Sequence, residues 1–183
     1  MKTGELDILI LPGLGGGTDD HWYRRWNSKL KTARIVDQED WLAPDADAWT
    51  QNIVDAAKSA DRPVFMLAHS LGAVALTHAA QQLSDANIAG AMLVAMPDLP
   101  TVQELIPETA GFLPIPTAPL SFPSLMVASR NDPYSSYQKA EERALDLGSL
   151  LIDAGDHGHI NDESGHGPWP EGLMALSKFL NRI

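Results

Sequence analysis

The chain contains no cysteine in 183 residues. That excludes a disulfide scaffold, a thiolate metal site and a cysteine nucleophile. Positive charge is also scarce. There are 13 Lys and Arg against 24 Asp and Glu, a net charge of −11. An acidic surface repels nucleic acid and anionic lipid, so neither is expected as a partner. Long hydrophobic runs are missing as well. No stretch approaches the roughly 20 apolar residues that span a bilayer. The opening segment MKTGELDILILPG has one Lys, two acids and five apolar residues in its run, Leu6 and Ile8 to Leu11. That is too short and too acidic for a signal peptide. The expectation is a soluble cytoplasmic protein. Internal repeats and low-complexity segments are absent too.

What remains is enough for one sizeable core. Hydrophobic residues make up 44% of the chain, which suits a single domain over residues 1–183 better than two. Short apolar runs alternate with helical patterns. Strands are expected at Asp7–Leu11, Ala33–Asp37, Val64–Ala68, Ile88–Ala95, Ser124–Ala128 and Leu150–Ala154. Helices are expected at Trp22–Leu30, Ala46–Ser59, Leu71–Gln82, Ser135–Leu147 and Pro170–Asn181. Asp45 or Asp47 is a candidate cap for the second helix, and Pro170 suits the first turn of the last. This alternation predicts an α/β fold with a parallel sheet and helices on both faces.

Residues 97–123 break the rhythm. They hold seven of the 13 prolines. A segment this long without a strand is often a lid or a binding loop, although it equally fits an ordered surface excursion. Thr101 and Glu104 have capping-box spacing, so a short helix is expected to start at Thr101.

The chemistry begins where the third strand ends. VFMLAHSLGAVAL runs from a buried strand through Ser70 into a helix. Ala68-His69-Ser70-Leu71-Gly72 is the G-x-S-x-G nucleophile elbow with Ala in its first position. Small residues two before and two after the serine let strand and helix approach closely. An ordinary helix N-cap would also place a serine there, so the rest of the machinery has to be present. A serine hydroxyl needs a neutral imidazole to take its proton and an acid to orient that imidazole. After the fifth strand, ASRNDP supplies Asp132. After the sixth, AGDHGHINDESGHG supplies His157, His159 and His166 on a glycine-rich loop. Spacing does not choose among these three. Serine, acid and histidine come in the order expected of an elbow serine, each after its own strand. The oxyanion donors are expected to be Leu71 N–H and an N–H of the loop LPGLGGGTDDHW, Leu14 first and Gly15 second.

Taken together, PGLGGGTDDHWYRRW, QEDWLAPDADAW, AHSLG, SFPSLMVASRNDPY and GHINDESGHGPWPEG resemble the small serine hydrolases of the retinoblastoma-binding-protein and YdeN-like family, a compact branch of the α/β-hydrolases. The resemblance covers essentially the whole chain. It implies about six mainly parallel strands in the order 2-1-3-4-5-6. It places the nucleophile on Ser70, the acid on Asp132 and, through the GHIN segment, the base on His159. It implies cleavage of an ester or related acyl bond of a small molecule, with no cofactor and no metal. Ala68 departs from the usual glycine. The namesake partner contact uses a short motif containing cysteine, which this chain lacks, so no protein partner is inferred from the family name.

Substrate contacts are expected from Gly15, His69, Phe112 and Trp169. The apolar residues Phe112, Leu113 and Ile115 suggest an apolar acyl group beneath the proline-rich segment. Three other readings compete with this one. Gly13-Leu-Gly15-Gly-Gly17 with Asp37 resembles a dinucleotide site, but Thr18 stands where the third glycine of G-x-G-x-x-G belongs. His157, His159, Asp162 and His166 are a candidate metal cluster without a helix to space them. A non-catalytic interaction module on a hydrolase scaffold is the third, with Trp22, Trp26, Trp41, Trp49 and Trp169 as a contact patch. Those tryptophans more readily serve as core or pocket wall.

Overall fold

The computed structural model describes residues 1–183. The elements run β1 (Asp7–Leu11), α1 (Trp22–Lys29), β2 (Ala33–Ile35), α2 (Ala46–Lys58), β3 (Val64–His69), α3 (Leu71–Ala80), β4 (Ile88–Val94), α4 (Leu99–Val102), β5 (Ser124–Ala128), α5 (Tyr137–Leu147), β6 (Leu150–Asp153) and α6 (Pro170–Leu180). Short 3-10 turns lie at Thr3–Glu5 and Pro107–Phe112. The six strands form one sheet in the order β2-β1-β3-β4-β5-β6, every neighbouring pair parallel.

The alternation along each central strand builds two cores. Leu9, Leu11, Val64, Met66 and Ala68 face one side, where they pack with Val54, Val74 and Leu76 of α2 and α3. Ile8, Ile10, Phe65 and Leu67 face the other, with Trp22, Trp26, Leu176 and Phe179 of α1 and α6. β3 and β5 are buried along their whole length, as strands covered on both faces must be. The edge strands are shorter than their apolar runs suggest. β2 stops at Ile35, though Val36 still donates to Ile10 O at 2.9 Å. An edge strand has a partner on one side only, so its pairing ends where that partner turns away.

Asp45 caps α2 by accepting from Ala48 N–H at 2.8 Å. The short helix in the proline-rich segment begins earlier than its capping pattern predicts. It starts at Leu99 with Pro100 in the first turn, a position where the missing N–H costs nothing. Thr101 lies inside that turn and donates its hydroxyl to the Asp98 carboxylate.

Segment 97–123 is fastened by its apolar residues. Phe112, Ile115 and Phe122 are buried in the α2–α3 core. Phe112 meets the Trp49 ring edge-on at 5.9 Å, and its carbonyl lies 3.0 Å from His78 Nε2. No helix is long and apolar enough to cross a membrane.

Candidate active site

In a parallel sheet, ligands bind beyond the carboxyl ends of the strands, where the order reverses. Here β1 leads outward to β2 and the chain then returns to β3 on the other side of β1. Ser70 stands at that point, between β3 and α3. Its backbone is at φ 54° and ψ −125°, a conformation that costs a non-glycine residue energy and persists only where the surroundings enforce it. Ser70 N–H donates to Val94 O at 2.9 Å, and Ala73 N–H donates to Ser70 O at 2.9 Å. Two glycines make room. A Cβ on Gly72 would lie 2.2 Å from Leu11 O and 2.5 Å from Pro12 O. A Cβ on Gly13 would lie 2.7 Å from Ser70 Cβ.

The Ser70 hydroxyl lies 2.8 Å from His159 Nε2. His159 Nδ1 lies 3.0 Å from both carboxylate oxygens of Asp132. Asp132 accepts a further bond from Tyr134 N–H at 2.9 Å, and the Tyr134 ring meets the His159 ring edge-on at 4.6 Å. A carboxylate can only accept, so Nδ1 carries the His159 proton and Nε2 is free to accept from the hydroxyl. The three side chains come from the loops after β3, β5 and β6. Such an arrangement can pass a hydroxyl proton to an imidazole and hold the resulting cation beside a carboxylate.

The loop carrying His159 is gripped residue by residue. His157 N–H donates to Ser129 Oγ at 2.9 Å, and Gly158 N–H donates to Asn131 Oδ1 at 2.6 Å. The His159 carbonyl accepts from His69 Nε2 at 2.9 Å, and the Ile160 carbonyl accepts from Trp22 Nε1 at 3.0 Å. Ile160 has φ 48°, an outlier for a β-branched residue. Its fully buried side chain and the Trp22 bond hold it there. Ser129 and Asn131 sit in the very segment that supplies Asp132, yet sequence reasoning passed over them. The only signal was their polarity on either side of Arg130, which turns outward to Asp153.

The other histidines do not join this chain. His157 Nδ1 pairs with His166 Nε2 at 3.0 Å, while Asp162 accepts from the Thr18 hydroxyl. The four residues of the candidate metal cluster therefore point to different partners, and no three His, Asp or Glu side chains converge as metal ligands. His21 is buried, stacks on Tyr23 at 3.7 Å, and has an Nδ1 with no hydrogen-bond partner. Burial pulls its pKa down to about 4, against a smaller opposing pull from Asp162. Burial likewise holds His69 well below the usual imidazole range, helped by the neighbouring His159 and His21. The Thr18 hydroxyl holds Asp162 below the usual carboxylate range.

Ser70 opens into a cavity of about 400 Å³. Leu14 and Leu71 border it, and neither N–H donates to a protein acceptor. Gly15 borders it too, but its N–H is spent on Trp41 O at 2.8 Å. Of the two expected donors in the loop after β1, only Leu14 keeps its N–H free. Pro97, Ile106 and Thr109 bring the proline-rich segment to the cavity. Leu14, Leu71, Pro97, Ile106 and the Tyr23 and Tyr134 rings give the wall more apolar than polar surface. Asp162 and Glu163 face the cavity, and no Lys or Arg does.

Two expected substrate contacts lie elsewhere. Phe112 packs in the α2–α3 core and does not reach the cavity. Trp169 stacks on Trp26 at 5.8 Å in the α1–α6 core. Gly15 and His69 do border the cavity. Leu113 and Ile115 pack with Phe112 rather than with the site. The tryptophans form no exposed patch: Trp22, Trp26, Trp49 and Trp169 are buried, and Trp41 is partly covered.

A family model described as serine hydrolase matches residues 8–178. The crystal structure of a YdeN-like hydrolase from Pectobacterium atrosepticum is similar to this chain with a TM-score of 0.86 at 35% identity, covering 98% of this chain and 92% of that one. The ydeN gene product of B. subtilis follows at 0.78 and 21% identity, with 97% and 99% covered. A thermophilic esterase from Thermogutta terrifontis shares the fold at 0.71 and 15% identity, with 97% and 90% covered. No curated protein sequence matches.

Proposed function

The chain belongs to the serine hydrolase family, as a YdeN-like α/β-hydrolase, and from that premise we propose that it cleaves a carboxylic ester or related acyl bond of a small substrate through Ser70, His159 and Asp132. The observation that carries this reading is the hydrogen-bonded chain from Ser70 Oγ through the His159 ring to Asp132, at 2.8 Å and 3.0 Å, open to a cavity. Ser70 Oγ attacks the carbonyl carbon as its proton passes to His159 Nε2. The carbonyl oxygen becomes an oxyanion, which Leu14 and Leu71 N–H stabilise. Asp132 stabilises the imidazolium. The C–O bond to the leaving group then breaks, and that group leaves as the alcohol with the proton from Nε2. Water attacks the acyl-enzyme, giving its proton to Nε2. Collapse returns that proton to Ser70 Oγ and frees the acid.

The cavity wall adds a charge preference to the apolar acyl group that the sequence suggested. With Asp162 and Glu163 as its only formal charges, a neutral or cationic ester is favoured and a carboxylated one is repelled. Residues 1–183 act as one hydrolase domain, with segment 97–123 covering the site through Ile106 and Thr109.

A fluorophosphonate probe tests the reading directly. Intact mass is expected to show one adduct on the wild type and none on Ser70→Ala. An adduct that survives in Ser70→Ala, or no adduct on folded wild type, overturns it.

A further inference from the structure

We propose that His69 is a positioning residue for the base: its Nε2–H holds the His159 backbone against the elbow, so that nucleophile and base are locked together from both ends. The inference rests on the reading of His159 as the base.

The geometry is direct. His69 is the residue before Ser70, and its Nε2 lies 2.9 Å from His159 O. A carbonyl only accepts, so the donor is the Nε2–H tautomer. The ring is buried, its centroid 4.7 Å from that of His21, 5.8 Å from Tyr23 and 6.1 Å from Trp22. Those walls allow it little freedom to turn. Burial lowers its proton affinity, which favours the neutral ring. A neutral ring beside His159 adds no charge to compete with the imidazolium of the reaction.

The other ties on this loop act at different points. Ser129 and Asn131 hold His157 and Gly158 from the β5 side, and Trp22 holds Ile160. Asp132 holds the far end of the His159 ring. Only the His69 bond joins the backbone of the base to the strand that ends in the nucleophile. It also explains why a histidine stands at a position where the elbow pattern accepts any residue. Although His69 borders the cavity, its Nε2 is engaged by the protein and not by substrate.

The test exploits side-chain length. A Gln amide nitrogen reaches about as far as Nε2, whereas an Asn amide falls short and a Phe has no donor. Fluorophosphonate labelling rates and ester kinetics are measured on the wild type, His69→Gln, His69→Asn and His69→Phe, each checked for a cooperative thermal transition. His69→Gln is expected to stay within a few-fold of wild type. The other two should lose on the order of 10²-fold in kcat, the scale of a misplacement near 1 Å, with KM little changed. The Asn variant serves if the Phe variant does not fold. Equal rates in the wild type and the folded Asn or Phe variant overturn the proposal, as does an equal loss in folded Gln and Phe variants. Absence of labelling in the wild type would instead strike the assignment of Ser70 itself, so the two failures are distinct.

Discussion

Acid should destabilise this protein well before its carboxylates titrate, because it keeps neutral imidazoles inside. His21 binds its proton at about 4 in the fold and at 6.5 as an ordinary imidazole. Between those values the unfolded chain carries more protons than the folded one. Stability therefore falls as pH falls through that window, and is fully retained above it. At pH 5 about 97% of unfolded His21 is protonated against roughly 10% of the folded form. Integrating the linkage from pH 7 to pH 5 gives a loss of about 2 kcal/mol from His21 alone. His69 and His166, both held low first by burial, add in the same direction. Asp162, held low by Thr18, gives its own loss only below the ordinary carboxylate range. Urea unfolding followed by tryptophan fluorescence at pH 7, 6 and 5 measures the effect. His21→Phe keeps the stack on Tyr23, removes the unpartnered Nδ1, and should flatten the pH dependence by about 2 kcal/mol over the same interval. Identical pH slopes in the two proteins, or a wild type that gains stability in acid, would refute the reasoning.

Three further outcomes follow from the same geometry. Gly72→Ala drives a Cβ to 2.2 Å from Leu11 O, and should cost roughly 3 kcal/mol in urea unfolding; near-wild-type stability would mean the elbow is looser than it stands. Ser70→Gly releases a residue at φ 54°, and should raise stability by about 1 kcal/mol while turnover drops by about 10⁶-fold, the scale of a lost triad serine; a thermal melt and an esterase assay read the two together. In a size-matched ester series ending in ammonium, hydroxyl, methyl or carboxylate, the carboxylate should be the poorest substrate by about tenfold in kcat/KM. That penalty should shrink in an Asp162→Asn, Glu163→Gln variant and with added salt; an unchanged ranking would remove those carboxylates from substrate selection.

How far a sequence exposes a site depends on whether the deciding contact is local. The buried strands β3 and β5 are legible because apolar character runs their full length. Ser70 and Asp132 are legible because Ser70 follows β3 directly and Asp132 follows β5 by four residues. The histidine is harder: three of them sit within ten residues of one glycine-rich loop, and spacing alone cannot say which turns to the serine. What separates them in space is that His157 and His166 bond to each other. The oxyanion loop repeats the point. Leu14 and Gly15 look interchangeable along the chain, and the difference is that Trp41 O, from a separate loop, consumes the Gly15 N–H. Phe112 and Trp169 look like substrate contacts along the chain because an aromatic beside a proline-rich or glycine-rich loop fits cavity or core equally well. Trp49 draws the first into the α2–α3 core and Trp26 the second into the α1–α6 core. Both partners are far away in sequence. With those aromatics withdrawn, the apolar part of the wall around Ser70 is left to Leu14, Leu71, Pro97, Ile106 and the Tyr23 and Tyr134 rings, and its acidic part to Asp162 and Glu163, a charge preference that no local pattern announces.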